Sequence, residues 1–324
     1  MKYVASRLAQ LVLVLLIVSF LAFMLIRALP GDPVLAVTGC PDTETQSPTC
    51  ATKIEDARAD LRLDESVPAA YVGWLGDLLP PDVDLGYSYT SNTEVSEIVG
   101  FALPRTARLM LYTVVVALLL SIPLGVFAAH RAGGWVDRII STSSFGMIAV
   151  PNFVLAVVLI YLFDYRLGWF DSRQVVDPEA GWGKHLKSHV LPVLSLALGL
   201  AAVFTRLLRS DMVTTLSEDF IGMAKAKGMP VRRILFRHAL RPSSFTLLTV
   251  VGLNVGQLLG GAVIIEFIFD INGMGQQLAL AIGASNYVFL QTGIVIVAAM
   301  FVTLNVLVDV LYGFLDPRVR DARR

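Results

Sequence analysis

The sequence predicts an all-α membrane protein with six spanning helices, and three observations predict it. Fifty-five per cent of residues are hydrophobic, only 16% are charged and mean hydropathy is +0.68, less charge than a soluble domain normally carries. Six apolar stretches, near residues 8–29, 107–129, 139–163, 190–209, 244–268 and 290–315, are long enough to cross about 30 Å of hydrocarbon at ~1.5 Å per residue. With no water in the bilayer core to satisfy backbone groups, such stretches should be helices. The third observation is charge placement. With the N-terminus in the cytoplasm, 16 of the 26 basic residues fall in short segments on that side: Lys2 and Arg7, Arg131 and Arg138, eight between Arg206 and Arg241, and Arg318, Arg320, Arg323 and Arg324. Both termini are therefore expected inside, and the zero net charge of the chain conceals a strong asymmetry.

The elements follow in order. Residues 1–29 form the first span; its apolar run from Leu8 to Ile26 exceeds the roughly 7–15 residues of a signal-peptide core, and no small-x-small cleavage site precedes Pro30. Arg27, at its outer end, can snorkel. Residues 30–104 are a large insertion on the outer side, with 13 acidic residues between Pro30 and Gly100 against Lys53, Arg58 and Arg62. Within it Val67, Tyr71, Trp74, Leu75 and Leu78 recur at helical spacing until Pro80-Pro81, and Ile98 and Phe101 continue the pattern before Pro104. Short amphipathic helices on the membrane surface, or a small packed lobe, are the two readings. Cys40 and Cys50, the only cysteines, lie here; in an oxidising compartment they would close a short disulfide loop, and otherwise they are two free thiols.

Residues 105–324 carry the other five spans. Pro123, Pro151 and Pro192 are expected to bend or unwind the second, third and fourth. Gly252, Gly256, Gly260 and Gly261 in the fifth allow close helix packing or leave room along a pathway. Charges near the spans are few. Glu266 and Asp270, at the outer end of the fifth, would line a pathway mouth or form an ion pair; Asp309 in the sixth would partner an arginine. His185 and His189, four apart, share a helix face but lack the carboxylates or thiolates of a metal site, so no metal is expected.

The most informative segment is a basic, helix-forming loop within residues 210–242. Ser217 can cap a helix with Glu218 and Asp219 in its first turn and Lys225 and Lys227 in its last, each charge matching the macrodipole. Gly228 fits a left-handed stop and Pro230 the start of a second helix. Phe220, Met223, Ala224 and Lys227 would share one face of the first helix, and Val231, Ile234, Leu235 and His238 one face of the second, beside Arg232, Arg233, Arg237 and Arg241. Apolar faces flanked by arginine suit a protein partner; the rival reading is a basic face on anionic lipid.

The run Ala224-Lys225-Ala226-Lys227-Gly228, followed by His238-Ala239-Leu240-Arg241, resembles the cytoplasmic coupling (EAA) loop of the peptide and nickel permeases of bacterial ABC importers. Leu29-Pro30-Gly31-Asp32-Pro33-Val34, Asp84-Leu85-Gly86, Gly260-Gly261-Ala262, Gly273-Met274-Gly275 and Leu315-Asp316-Pro317-Arg318-Val319-Arg320 extend the resemblance over nearly the whole chain. Gly222 stands where the general pattern has Glu, and Arg241-Pro242-Ser243 where it has Leu-Pro. The resemblance implies the type I importer permease architecture in the bacterial cytoplasmic membrane, in contact with lipid and not nucleic acid. It also implies a second homologous permease, two nucleotide-binding ATPase subunits that hold ATP and Mg, and an extracytoplasmic substrate-binding protein. Phe220, Met223, Ala224, Lys225, Lys227, Gly228, Arg232 and Arg233 would couple to the ATPases, and di- or oligopeptide would be the cargo, with nickel, haem or a glutathione-like molecule as alternatives.

No G-x-x-x-x-G-K-[ST] phosphate loop occurs, since Gly183-Lys184 leads into His185, so the chain is not expected to hydrolyse ATP or to be an enzyme. A channel or secondary transporter would want ion sites at membrane centre that the sequence lacks, and a membrane scaffold would use the loop without moving anything.

Overall fold

The computed structural model describes residues 2–28, 33–38, 40, 48–81, 83–172 and 175–315. The chain divides into two compact units, residues 1–105 with 272–302 and residues 106–271 with 303–324.

In the first unit, α1 (Lys2–Arg27) is the first span. α2 (Pro33–Thr38), α3 (Pro48–Asp60) and α4 (Val67–Asp77) make a folded lobe beside it. The helical spacing read at Val67–Leu78 becomes α4, which docks on α1 through aromatic rings: Tyr71 packs edge-on against Phe20 and Phe23, both at 5.4 Å, and its hydroxyl lies 2.8 Å from Ser19 Oγ. Arg27 does more than snorkel. Its guanidinium donates to the carbonyls of Leu61 and Arg62, at 3.2 and 3.1 Å, and lies 4.1 Å from the centre of the Phe23 ring. A two-stranded hairpin, β1 (Tyr87–Ser88) paired antiparallel with β2 (Thr93–Glu94), leads into the next helix. Tyr89 beside it donates its hydroxyl to Asp60, and burial, then that carboxylate, raise the phenol above its ordinary range, so it stays a donor. Two small cores close the unit. Ile26, Val34, Val37, Ala57 and Tyr89 form one. Val95, Ile98, Val99 and Ala102 form the other with Met274 and Ala281 of α12 (Met274–Gly283) and Phe289 and Leu290 of α13 (Tyr287–Leu315). The lobe therefore recruits α12 and the start of the last span, a long-range association that local patterning does not encode.

The second unit is built around α8 (Trp182–Leu216), whose buried face carries Leu191, Leu196, Phe204, Leu208 and Met212. Against it pack α6 (Trp135–Ala149), α7 (Asn152–Leu159), which runs on as π-helical turns to Arg166, and α11 (Leu240–Ile268). α5 (Val95–His130) supplies the second span. Among the described residues four helices are long and apolar enough to cross a membrane, α1, α5, α8 and α13, and six result if each of two bent pairs counts as one span: Trp135–Ala149 with Asn152–Arg166 at 102°, and Val231–Gly256 with Leu258–Ile268 at 54°.

Of the three prolines expected to distort their helices, only Pro151 breaks one. α5 continues through Pro123 and α8 through Pro192. Near Pro192, Ser195 Oγ donates to the Pro192 carbonyl at 2.6 Å and Ser188 Oγ to that of His185 at 2.8 Å. The second bend falls instead within the glycine-bearing part of α11, between Gly256 and Leu258.

Candidate functional site

The loop between α8 and α11 folds as two short helices. α9 (Asp219–Ala226) is followed by α10 (Val231–Arg233), which continues as a π-helical turn over Ile234–Ala239. Gly228 has φ +73°; its N–H donates to Lys225 O at 2.9 Å and Met229 N–H to Ala224 O at 3.2 Å, the paired bonds of a glycine-terminated helix end. Pro230 precedes the second helix, as expected of a residue with fixed φ and no donor to lose. The start of α9 differs from the sequence expectation. Glu218, not Ser217, is the N-cap, because the Ser217 hydroxyl is turned back to the Thr214 carbonyl at 2.6 Å.

Burial divides the loop in a way that spacing alone did not. Ile221 and Ala224 of α9 are buried, as are Ile234, Leu235 and Ala239. Phe220 and Met223, at 47% and 61% exposed, face outward with Val231 and Phe236, at 54% and 48%. Ala224 thus belongs to the inner face, correcting the face it was expected to share with Phe220 and Met223. Lys225, Lys227, Arg232, Arg233, Arg237 and Arg241 are exposed beside these apolar side chains. The base of the loop is closed by Ser243, buried, whose hydroxyl donates to Ala239 O at 2.9 Å and lies 3.0 Å from Thr215 Oγ1 at the end of α8. Sequence reading passed over Ser243 except as a departure from the Leu-Pro pattern. The loop is therefore a preformed surface fixed to two spanning helices.

Deeper in α8, Arg209 grips Asp137 of α6 with two bonds, Nε to Oδ1 at 2.5 Å and Nη2 to Oδ2 at 2.6 Å. Asp137 is buried and also accepts from Gly133 N and Ser141 Oγ, so the turn between α5 and α6 is tied to the helix that leads into the loop.

The remaining sequence-predicted residues lie elsewhere. Glu266 is fully buried and accepts from Thr106 Oγ1 at 2.6 Å, while Asp270 is exposed with φ +49°. Cys40 and Cys50 are joined as a disulfide with Cα atoms 6.0 Å apart. His185 is held by the Val176 carbonyl at 2.7 Å and the Tyr112 hydroxyl at 3.0 Å. Among the described residues no group of three or more His, Cys, Asp or Glu could hold a metal. Asp309 lies where the side chain is outside the described residues.

A helical membrane protein with an exposed apolar and basic loop on two spans has the form of a transport subunit. Residues 121–321 match the family model for the inner membrane component of binding-protein-dependent transport systems, and residues 1–110 match the model for the N-terminal part of such membrane components. A probable peptide ABC transporter permease protein of Sinorhizobium fredii is 32% identical over 321 residues, covering 98% of this chain and 99% of the relative. A putative peptide transport system permease protein of Brucella abortus is 35% identical, with 98% of each chain covered. A glutathione transport system permease protein of Escherichia coli is 31% identical over 99% of each. The chain belongs to this family of inner-membrane components, as a permease of the peptide and nickel importer group. It is a multi-pass protein of the cytoplasmic membrane and a transport subunit of a multi-subunit ABC importer, with ATP hydrolysis belonging to partner subunits.

Proposed function

We propose that this permease moves di- or oligopeptides inward by alternating access, driven by two ATPase subunits that bind ATP and Mg and dock on the loop between α8 and α11. The observation that carries this reading is the pairing of exposed Phe220, Met223, Val231 and Phe236 with exposed Lys225, Lys227, Arg232 and Arg233 on a loop whose inner side is packed and whose base is bonded to α8. Closure of the ATPases on nucleotide would move the loop as a body and tilt α8 and α11 with it. Work is transmitted only if nucleotide distinguishes the inward from the outward state in free energy. A second, homologous permease completes the path, six spans place both termini in the cytoplasm, and the acidic lobe outside receives a substrate-binding protein. Asp270, exposed, would be the member of the Glu266–Asp270 pair that meets cargo, with Glu266 held by Thr106. Peptide is favoured as cargo because relatives along the full length are named for peptide transport, and a relative named for glutathione keeps a small peptide-like molecule in view.

The test is co-purification of the tagged chain from its native membrane, followed by ATPase measurement in lipid, for the parent and for a Gly228→Pro, Arg232→Glu double variant. An ATPase that accompanies the parent and is lost or uncoupled in the variant supports the reading. A parent that purifies alone and moves solute without ATP refutes it and favours a channel or secondary carrier.

A further inference from the structure

The two bends of the second unit, between α6 and α7 and within α11, come together against the middle of the unbroken α8. Val150 is extended ahead of Pro151, as a residue before proline prefers, and α6 and α7 meet there at 102°, about halfway between Trp135 and Arg166. α11 bends between Gly256 and Leu258, and Gly199 lies midway along α8 between Trp182 and Leu216. Between them is an open cavity of about 330 Å³, lined among others by Asn152, Gly199, Val203, Asn254 and Gly261.

The amide of Asn152 lies against both glycines. A Cβ at Gly199 would come within 3.2 Å of its Oδ1, and one at Gly261 within 3.5 Å of its Nδ2. Asn254 is occupied, donating to Val250 O at 2.8 Å, whereas no hydrogen bond to the Asn152 amide is found among the described residues. Broken helices in a membrane protein persist where they line a cavity, and the Asn152 amide there is open to a passing hydrogen-bonding group. Among the described residues no Asp, Glu, Lys, Arg or His lines this cavity. A neutral donor–acceptor pair in a charge-free notch cannot select a metal ion or hold a carboxylate by charge, but it matches the donor and acceptor of a peptide unit while ignoring the side chains.

We propose that this notch contacts the main chain of the peptide in transit, with the Asn152 amide as its hydrogen-bonding group and Gly199 and Gly261 leaving the room that the amide and the peptide share. The inference rests on the peptide-importer reading above. It accounts for a path that accepts varied sequences, because the recognised group is common to all of them.

The test uses the full complex in proteoliposomes with tri-alanine and tri-lysine as probes. Asn152→Leu is expected to lower uptake of both peptides at least tenfold and to the same extent, and Asn152→Gln, which keeps the amide, to stay within about threefold of the parent. In a separate Val203→Cys variant, a water-soluble maleimide should react at the notch and be slowed by tri-alanine. Parental uptake in Asn152→Leu overturns the proposal, as does a Cys at position 203 that is unreactive in every nucleotide state, which would place the notch against lipid or the second permease. Those results leave the importer reading intact if the parent still imports peptide on ATP. A parent with ATPase but no peptide uptake removes the peptide cargo and this inference together, and a parent without an ATPase removes the importer reading itself.

Discussion

At Gly228 the backbone stands at φ +73°, a conformation that costs an L-residue with a Cβ roughly 1–2 kcal/mol. Beyond its chain neighbours, no atom of the described residues lies within 4 Å of where that Cβ would be, so the penalty of a substitution is conformational and not steric. Gly228→Val is therefore expected to loosen the turn between α9 and α10 and to weaken ATPase retention on purification, while Gly228→Asn, which tolerates the left-handed region, retains most of it. The two sides of α9 separate folding from docking. Ile221→Ala removes a fully buried side chain and should destabilise the loop by about 2–4 kcal/mol, read as a lower melting temperature of the purified subunit. Met223→Asp alters a side chain that is 61% exposed, so melting should stay put while co-purification of the ATPase falls. Should both variants melt early, Met223 is part of the packed loop and not of its outer surface.

Among elements, the tie between α6 and α8 through Asp137 and Arg209 is asymmetric. Asp137 is 6% exposed at its side chain and Arg209 is 32% exposed. Removing the arginine leaves a buried carboxylate with only Gly133 N and Ser141 Oγ, whereas removing the carboxylate leaves a guanidinium that water can reach. Arg209→Leu should thus cost about 3 kcal/mol and Asp137→Asn distinctly less, measured by thermal unfolding in detergent; equal losses would mean that both groups are equally desolvated. The same scale shows what could be read from residues in order. Span positions, the α4 pattern from Val67 to Leu78 and the stop at Gly228 follow from local composition and φ preference, which act within a few residues. Ile221 and Ala224 turning inward, and Val95, Ile98 and Ala102 packing on α12, depend on partners distant in sequence. Periodicity marks a face as apolar but not whether the neighbour that covers it belongs to the same chain. The two-helix loop was accordingly legible as a segment, while its outward residues were sorted only by burial.

Across the whole molecule the distribution of charge predicts an orientation, and the proposed docking of ATPases on the loop requires it. The loop between α8 and α11 presents Lys225, Lys227, Arg232 and Arg233 as exposed side chains, and the acidic lobe carries Lys53 and Arg58 on α3. Trypsin cuts after these residue types, so membrane sidedness becomes a pattern of fragments. With both termini in the cytoplasm, trypsin added to inside-out vesicles should cut within 225–233, and the same enzyme added to spheroplasts should spare that loop and reach the lobe, the exposed Arg166 after α7, and the exposed Lys184 and Lys187 at the start of α8. Adding back the ATPase subunits to inside-out vesicles should slow the loop cuts at least tenfold, because docking would bury Phe220 and Met223 together with the neighbouring lysines. Loop cleavage from the spheroplast side would invert the topology and remove the ATPases from reach. Cleavage from the inside that persists unslowed with the ATPases bound would keep the topology but move the docking surface away from α9 and α10. The arrangement argues for the protected outcome: a surface packed underneath, bonded at its base to α8 through Thr215 and Ser243, and apolar outside has little to gain from facing water alone.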